Sequence, residues 1–348
     1  MRGIRHLLLS SISAATAVFM FGGISAANDR ITMTIITKDP DNHFWTSMVE
    51  GAQKAAKDLD VQITVAAGRD QSDADGQIQA IEFAIQRGDK AILIANNGPA
   101  VNGAIKKARD AGLLVYALDT PTDPTNLVDA TFASDNFQAG VLIGKWAAAS
   151  LAGKPAKIAL LDLFADKVVS VDYQRDQGFL KGMGIDIKDP KKNGDEDKTG
   201  SYSGGKYEIV CNQATNGAED GGRTAMENCL SLNPDINVVY SANETSGVGA
   251  VQALKAAGIK NALVVSIDGS CRGVKTVADG DFGAVSQQYP SAMGKFGVEA
   301  AVNQIRNKVA PKPTAGIDFT NTGITLVTDK PASGIESIDA KKGTELCW

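Results

Sequence analysis

The feature that most limits what this chain can fold into is a strand–helix alternation that runs through it twice. The apolar run Ile31–Thr37 leads to a helical pattern over Thr46–Leu59, where Met48, Val49, Ala52, Ala55, Ala56 and Leu59 recur at helical spacing. Strands are then expected at Val61–Ala66, Ala91–Ala95 and Leu114–Leu118, separated by helices from about Asp75 to Arg87 and over Ala100–Ala111. The order restarts with helix Phe137–Leu151, strand Lys157–Leu163 and helix Val171–Met183. Strands Tyr207–Cys211, Asn237–Ser241 and Ala262–Asp268 follow, alternating with helices Gly222–Leu232, Gly247–Ala257 and Gly273–Asp279. Helices of this size between strands build parallel sheets from βαβ units. The expected fold class is therefore α/β, with two similar doubly wound parallel-sheet lobes. The stretch Lys188–Lys206, rich in Lys, Asp, Gly and Ser, reads as a surface insertion, because a strand follows it at once.

The first 27 residues stand apart from this pattern. Arg2 and Arg5 form a basic start, Leu7–Phe21 is apolar and uncharged, and small residues lead up to a cleavage site after Ala27. That is an export signal, removed from the mature, exported chain. The apolar run is short for a span of ~20 residues, and no later segment reads as transmembrane. About 320 residues remain, more than the ~100–200 usual for one domain. Without Arg2 and Arg5 they carry 33 basic against 40 acidic side chains and no basic block with interleaved aromatics, which makes nucleic acid a poor partner. Cys211, Cys229, Cys271 and Cys347 form an even set, which favours disulfides in an exported chain. Their long spacings and the single remaining histidine, His43, argue against zinc.

Other chemical motifs are incomplete, so neither a metal nor a cofactor is expected. Asp73-Ala74-Asp75-Gly76-Gln77-Ile78 with Glu82 matches several positions of a calcium loop, but Gln71 stands where the first carboxylate belongs, and a helix cap explains it better. Gly247-Val248-Gly249 lacks the third glycine of a dinucleotide fingerprint, and there is neither a phosphate loop nor a nucleophile elbow.

Ligands of open parallel sheets bind outside the carboxyl ends of the strands. The first strand ends before Asn42, Phe44 and Trp45, and the fourth ends at Asp119. The second half adds Arg175 in a helix after a strand end, Asn243 and Asp268 after strands, and Gln288 after the short strand Ala284–Ser286. Each has an ordinary structural use: Phe44 and Trp45 as core, the aspartates as loop starts, Asn243 as a helix cap, Arg175 on a solvated face. Together they form a ring of carboxylates, amides and one guanidinium between aromatic walls. Such a ring matches a polyhydroxyl ligand, whose hydroxyls donate to Asp and accept from Arg and Asn.

The set Asp41-Asn42-His43-Phe44-Trp45, Ala117-Leu118-Asp119, Ala133-Ser134-Asp135-Asn136, Arg175-Asp176-Gln177-Gly178-Phe179, Asn243-Glu244, Ile267-Asp268-Gly269 and Gln287-Gln288-Tyr289-Pro290 occurs in that order. It resembles the periplasmic sugar-binding proteins of ABC importers of the ribose-binding type. Gly323–Pro331 and the terminal Cys347-Trp348 make it look closest to their fructose-binding branch. The resemblance covers essentially all of the exported chain.

It implies a type I periplasmic binding protein, whose two lobes are joined by three hinge crossings near Ser134–Asn136, Gln288–Tyr289 and Thr322–Ile324. The N-terminal lobe would comprise residues 28–134 plus 289–322, and the C-terminal lobe 135–288 plus 323–348. Asn42, Phe44, Trp45 and Asp119 would face the ligand from one lobe and Arg175, Asn243 and Asp268 from the other, with Gln288 at the hinge and Asn216 on the ligand side. On this layout the tail returns to the second lobe, pairing Cys271 with Cys347 and leaving Cys211 for Cys229.

The implied function is capture of a monosaccharide, a fructose-like ketose or a pentose, by a monomer that delivers it to an ABC-type permease. His43 stands where the family commonly has proline, and Thr120 where ribose binders have arginine, which counts against ribose itself. A sugar alcohol is the alternative ligand. The rival from another class is a carbohydrate-active enzyme using Asp119 and Asp268 as acid and base.

Overall fold

The structure is a computed structural model that describes residues 30–348; the export signal expected over residues 1–27 lies outside the described residues. The first lobe runs β1 (Thr32–Thr37), α1 (His43–Asp58), β2 (Gln62–Ala67), α2 (Ala74–Arg87), β3 (Ala91–Ile94), α3 (Asn102–Asp110), β4 (Leu114–Leu118) and β5 (Ala130–Ala133). The chain then enters the second sheet's layers through α4 (Asn136–Leu151), β6 (Ala156–Asp162), α5 (Ser170–Met183), β7 (Thr199–Tyr202), β8 (Gly205–Ala214) and α6 (Glu219–Leu232). β9 (Val238–Ser241), α7 (Glu244–Ala256), β10 (Leu263–Asp268), α8 (Cys271–Ala278) and β11 (Ala284–Gln287) follow. The chain returns for α9 (Pro290–Asn307) and β12 (Thr320–Asn321), and crosses a third time to β13 (Thr325–Val327) and α10 (Ala340–Thr344).

The first sheet has the order β12-β5-β4-β3-β1-β2, with every pair parallel. The second has the order β13-β11-β10-β9-β6-β8-β7, parallel except at its two edges. Successive side chains of a strand point to opposite faces. Met33, Ile35 and Leu93 accordingly pack with α1 and α9, while Ile36, Ile92 and Ile94 pack with α2 and α3. In the second sheet Ile158, Leu160 and Tyr240 meet α4 and α5, and Ala159, Leu161 and Val239 meet α6, α7 and α8. Cover on both faces is why these strands read as unbroken apolar runs.

Helices start earlier than their apolar spacing announces, because the caps are polar. Asn42 accepts from the Phe44 N–H at 2.9 Å and starts α1 at His43, three residues ahead of the expected Thr46. Asn243 caps α7 in the same way, accepting from Ser246 N–H at 3.1 Å. The expected surface insertion is more than surface. Its end forms β7, which pairs antiparallel with β8, Tyr207 donates to the Asp197 carbonyl at 2.9 Å, and Glu196 is buried. Cys211–Cys229 joins β8 to α6, and Cys271–Cys347 joins α8 to the C-terminus.

α4 and α5 touch along a glycine seam. A methyl group on Gly140 would run into the Arg175 carbonyl, one on Gly144 into that of Phe179, and one on Gly178 into that of Phe137. Gly140→Ala is therefore expected to push α5 outward and to destabilise the protein by about 1–3 kcal/mol in urea unfolding. An unchanged unfolding midpoint would mean that the helices can separate without loss.

Candidate functional site

The carboxyl ends of both sheets meet around one chamber of about 40 Å³, lined by Lys38, Asn42, Phe44, Trp45, Gln71, Asp119, Leu163, Val171, Arg175, Asn243 and Asp268. It adjoins a wider cleft of about 1090 Å³ that reaches Asn216, Glu219 and Trp348. Seven of the nine expected site residues line the chamber. Asn216 sits exposed on the cleft, and Gln288 stands behind Asp268, donating to its Oδ1 at 2.9 Å.

Phe44 and Trp45 are each buried in the first lobe's core and also line the chamber. Their rings meet edge to face at 4.7 Å between centroids, and Phe44 meets Trp348 in the same manner at 5.3 Å. Trp348 donates through Nε1 to the Gln288 carbonyl, and Cys347 beside it is bonded to Cys271, so the tail braces the aromatic wall.

Arg175 is 4 % exposed, which rules out the solvated-face reading. Its Nε donates to Asn136 Oδ1 and its Nη1 to the Ala242 carbonyl, both at 2.8 Å, and Nη1 lies 3.5 Å from Asp268 Oδ1. Asp268 also accepts from the Glu244 N–H at 3.2 Å. Burial raises its carboxyl to about 7, against the pull of Arg175. Asn243 lines the chamber with both ends of its amide committed, Oδ1 to Ser246 and Nδ2 to the Gly217 carbonyl. It holds the wall in shape.

Other polar atoms here are left without partners. Trp45 Nε1, Asp119 Oδ1 and Gln288 Oε1 are buried and make no hydrogen bond among the described residues. Asp119 uses only Oδ2, which accepts from Thr120 Oγ1 at 2.7 Å. Buried polar atoms are nearly always paired, and exceptions concentrate where a ligand completes the set. The backbone is strained at the same places: Asp119, Asn216 and Asp268 have φ of 62°, 56° and 129°.

Sequence reasoning missed Lys38, Gln71, Leu163 and Val171. Lys38 follows β1 and Leu163 follows β6, so the strand-end rule could have found both; Val171 lies one turn before Arg175 on α5. Lys38 Nζ lies 5.5 Å from the Trp45 ring centroid, and burial lowers its ammonium to about 8 although Asp119 pulls the other way. Among the described residues, no group of Asp, Glu, His and Cys is arranged to hold a metal, and no helix is long and apolar enough to cross a membrane.

The raised carboxyl of Asp268 ties stability to pH. A group that binds its proton more tightly folded than unfolded contributes fully below its unfolded value, here 3.8, and that contribution is lost as pH rises through about 7. Wild type should lose stability relative to Asp268→Asn between about pH 4 and 7, and the difference should level off above that. Parallel urea-unfolding profiles for the two proteins would show that Asp268 behaves as an ordinary solvated carboxylate.

A family model described as a periplasmic binding protein domain matches residues 33–309 of this chain. The D-apiose import binding protein of Actinobacillus succinogenes is 32% identical over 265 residues, covering 76% of each chain. The ribose import binding protein of Escherichia coli is 28% identical over 288 residues, covering 82% of this chain and 89% of that one. Among solved structures, a carbohydrate transporter solute-binding protein from Agrobacterium radiobacter in complex with D-arabinose superposes with a TM-score of 0.75 at 22% identity. That match covers 92% of this chain and 99% of the other.

Proposed function

The chain belongs to the periplasmic binding protein family, and on that footing we propose that it is an exported receptor that captures a monosaccharide and hands it to an ABC-type permease. It is a solute-binding protein and not an enzyme. A fructose-like ketose or a pentose is the ligand we favour, and a sugar alcohol is the second reading. The protein works in the periplasm as a monomer, with residues 28–134 plus 289–322 as one lobe and 135–288 plus 323–348 as the other.

The observation that carries this reading is the set of unpartnered polar atoms around aromatic faces. Of the chamber's own lining, Asp119 Oδ1 can only accept and Trp45 Nε1 can only donate, and neither has a partner among the described residues. A sugar hydroxyl does both, and its ring C–H face suits the Trp45 and Phe44 walls. The relatives support the class, since two are import binding proteins for the pentoses ribose and apiose. A chamber of about 40 Å³ has room for roughly one water molecule. Capture of a sugar therefore requires the lobes to part and close again about the crossings, a hinge motion driven by contacts that only the closed form makes.

Calorimetric titration of the mature protein with a panel of ketoses, pentoses and polyols tests the reading. One sugar should bind and its epimers should not, and affinity should rise as pH passes about 7, where Asp268 ionises and can accept from a hydroxyl. Asp268→Ala should lower affinity by about 30-fold or more, the order expected on deleting a buried charged partner. Trp45→Ala should weaken binding and remove most of the ligand-dependent tryptophan fluorescence change. Wild-type affinity in Asp268→Ala would sink the site assignment, and silence across the whole panel would sink the ligand class.

A further inference from the structure

Cys347 and Trp348 are adjacent residues that pack into different lobes. Cys347 sits against the second lobe's core, among side chains of α6, α7 and α8. Its disulfide ties it to Cys271 at the start of α8, and the Trp348 carbonyl accepts from the Cys271 N–H at 3.1 Å. The Trp348 ring packs instead against the first lobe's core, where it meets Phe44 edge to face at 5.3 Å. Its Nε1 donates at 3.0 Å to the carbonyl of Gln288, two residues before α9. The backbone of this segment is thus held by one lobe and its indole by the other.

Further contacts between the lobes are polar. Lys167 donates to the Gln71 carbonyl at 3.0 Å, Ser170 donates to the Pro121 carbonyl at 3.1 Å, and Lys191 pairs with Asp123 at 3.1 Å. Lys191 and Asp123 are 60 and 61 % exposed, and a pair so exposed adds little because water competes for both charges. Trp348 differs, since it is half-buried and apolar and has its one donor satisfied. When the lobes part, Cys347 travels with α8, so the indole has to leave Phe44 and give its apolar face to water. The two groups it touches both serve the site: Phe44 is a chamber wall, and Gln288 donates to Asp268.

We infer that Trp348 is a positioning residue for capture, a clasp carried by the second lobe and seated in the first. It favours the closed form and steadies Phe44 and Gln288 within it. The inference rests on the reading of the chain as a two-lobed receptor that closes on its ligand. With Cys347 tied to Cys271, the indole is presented at a fixed place, and little ordering is left for closure to supply. Apparent affinity is the intrinsic affinity scaled by the fraction of protein that is closed, so a clasp raises affinity without a contact to the ligand. It also slows release, because the indole must leave its seat before the lobes can part.

The test compares the mature wild type with Trp348→Ala, Trp348→Phe, Cys271→Ser/Cys347→Ser and Lys191→Gln. Small-angle X-ray scattering without ligand comes first. Trp348→Ala and the double serine variant should show a larger radius of gyration than wild type, and Lys191→Gln should not. Titration with D-fructose or D-arabinose, whichever binds, should then find affinity lowered about tenfold in Trp348→Ala, the order that an aromatic pair and a hydrogen bond contribute together. The dissociation rate should rise by about the same factor. Trp348→Phe keeps a ring against Phe44 without the donor to Gln288, and should recover part of the loss. The double serine variant should also lose affinity with its indole intact, which a mere space-filling role in the first lobe would not produce. The inference is overturned if Trp348→Ala scatters as wild type does, or holds sugar as tightly and releases it as slowly. It is equally overturned if Lys191→Gln opens the protein as far as Trp348→Ala. Silence of wild type towards both sugars would count against the ligand reading, and the scattering comparison would still decide the clasp. Should Trp348→Ala fail to fold, the double serine variant carries the same scattering test.

Discussion

A guanidinium in a protein interior must be met by acceptors, and the second lobe is arranged around meeting that of Arg175. Its partners come from three places: Asn136 where the chain enters α4, the Ala242 carbonyl just past β9, and Asp268 at the end of β10. One side chain therefore ties a crossing segment to two strand ends. Breaking a buried pair by removing one partner typically costs about 3–5 kcal/mol, because the other charge stays behind. The contact depends in turn on the glycine seam, since the Arg175 carbonyl occupies the place a methyl on Gly140 would need. Close helix packing, a buried charge and the position of the chamber wall are a single constraint.

The chamber also shows where the fold gives up local stability. Three non-glycine residues at or beside strand ends, Asp119, Asn216 and Asp268, hold positive φ, and each borders the chamber or cleft. Such strain persists only where the surroundings over-determine it. Beside it lie an indole N–H and two oxygens without partners. Strain and unpartnered polar atoms that coincide at strand ends around one chamber mark a site that something else completes. Asn243 shows the opposite case: it lines the same chamber, but its hydrogen bonds are all internal.

Most of the architecture was legible because buried parallel strands are apolar on both faces and their helices keep a clear spacing. α9 escaped because its core positions include Gly294, Gly297 and Ala301, which carry little hydrophobic signal. β12 has two residues and exists only through its pairing with β5, a contact between distant parts of the chain. The strand-end rule located the aromatic wall, Asp119, Arg175, Asn243 and Asp268. It passed over Lys38, because a lysine in sequence reads as solvated and only the assembled lobes bury it. Composition misled most at Lys188–Lys206. A run of charges looks like surface, yet Glu196 turns inward, where Asp176 already stands.

α5 joins these two regions. Arg175 turns to the chamber while its neighbour Asp176 turns into the interior towards Glu196, and Asp172 one turn earlier is buried beside both. The helix cannot shift at one end of that turn without shifting at the other. Its start is held by Asp172 accepting from Leu163 and Phe164, the residues that follow β6 directly. That anchor holds β6 and α5 in register and, with them, the guanidinium that faces Asp268. Ordering done in advance in this lobe need not be supplied by the ligand when the lobes close, and what is saved appears as affinity.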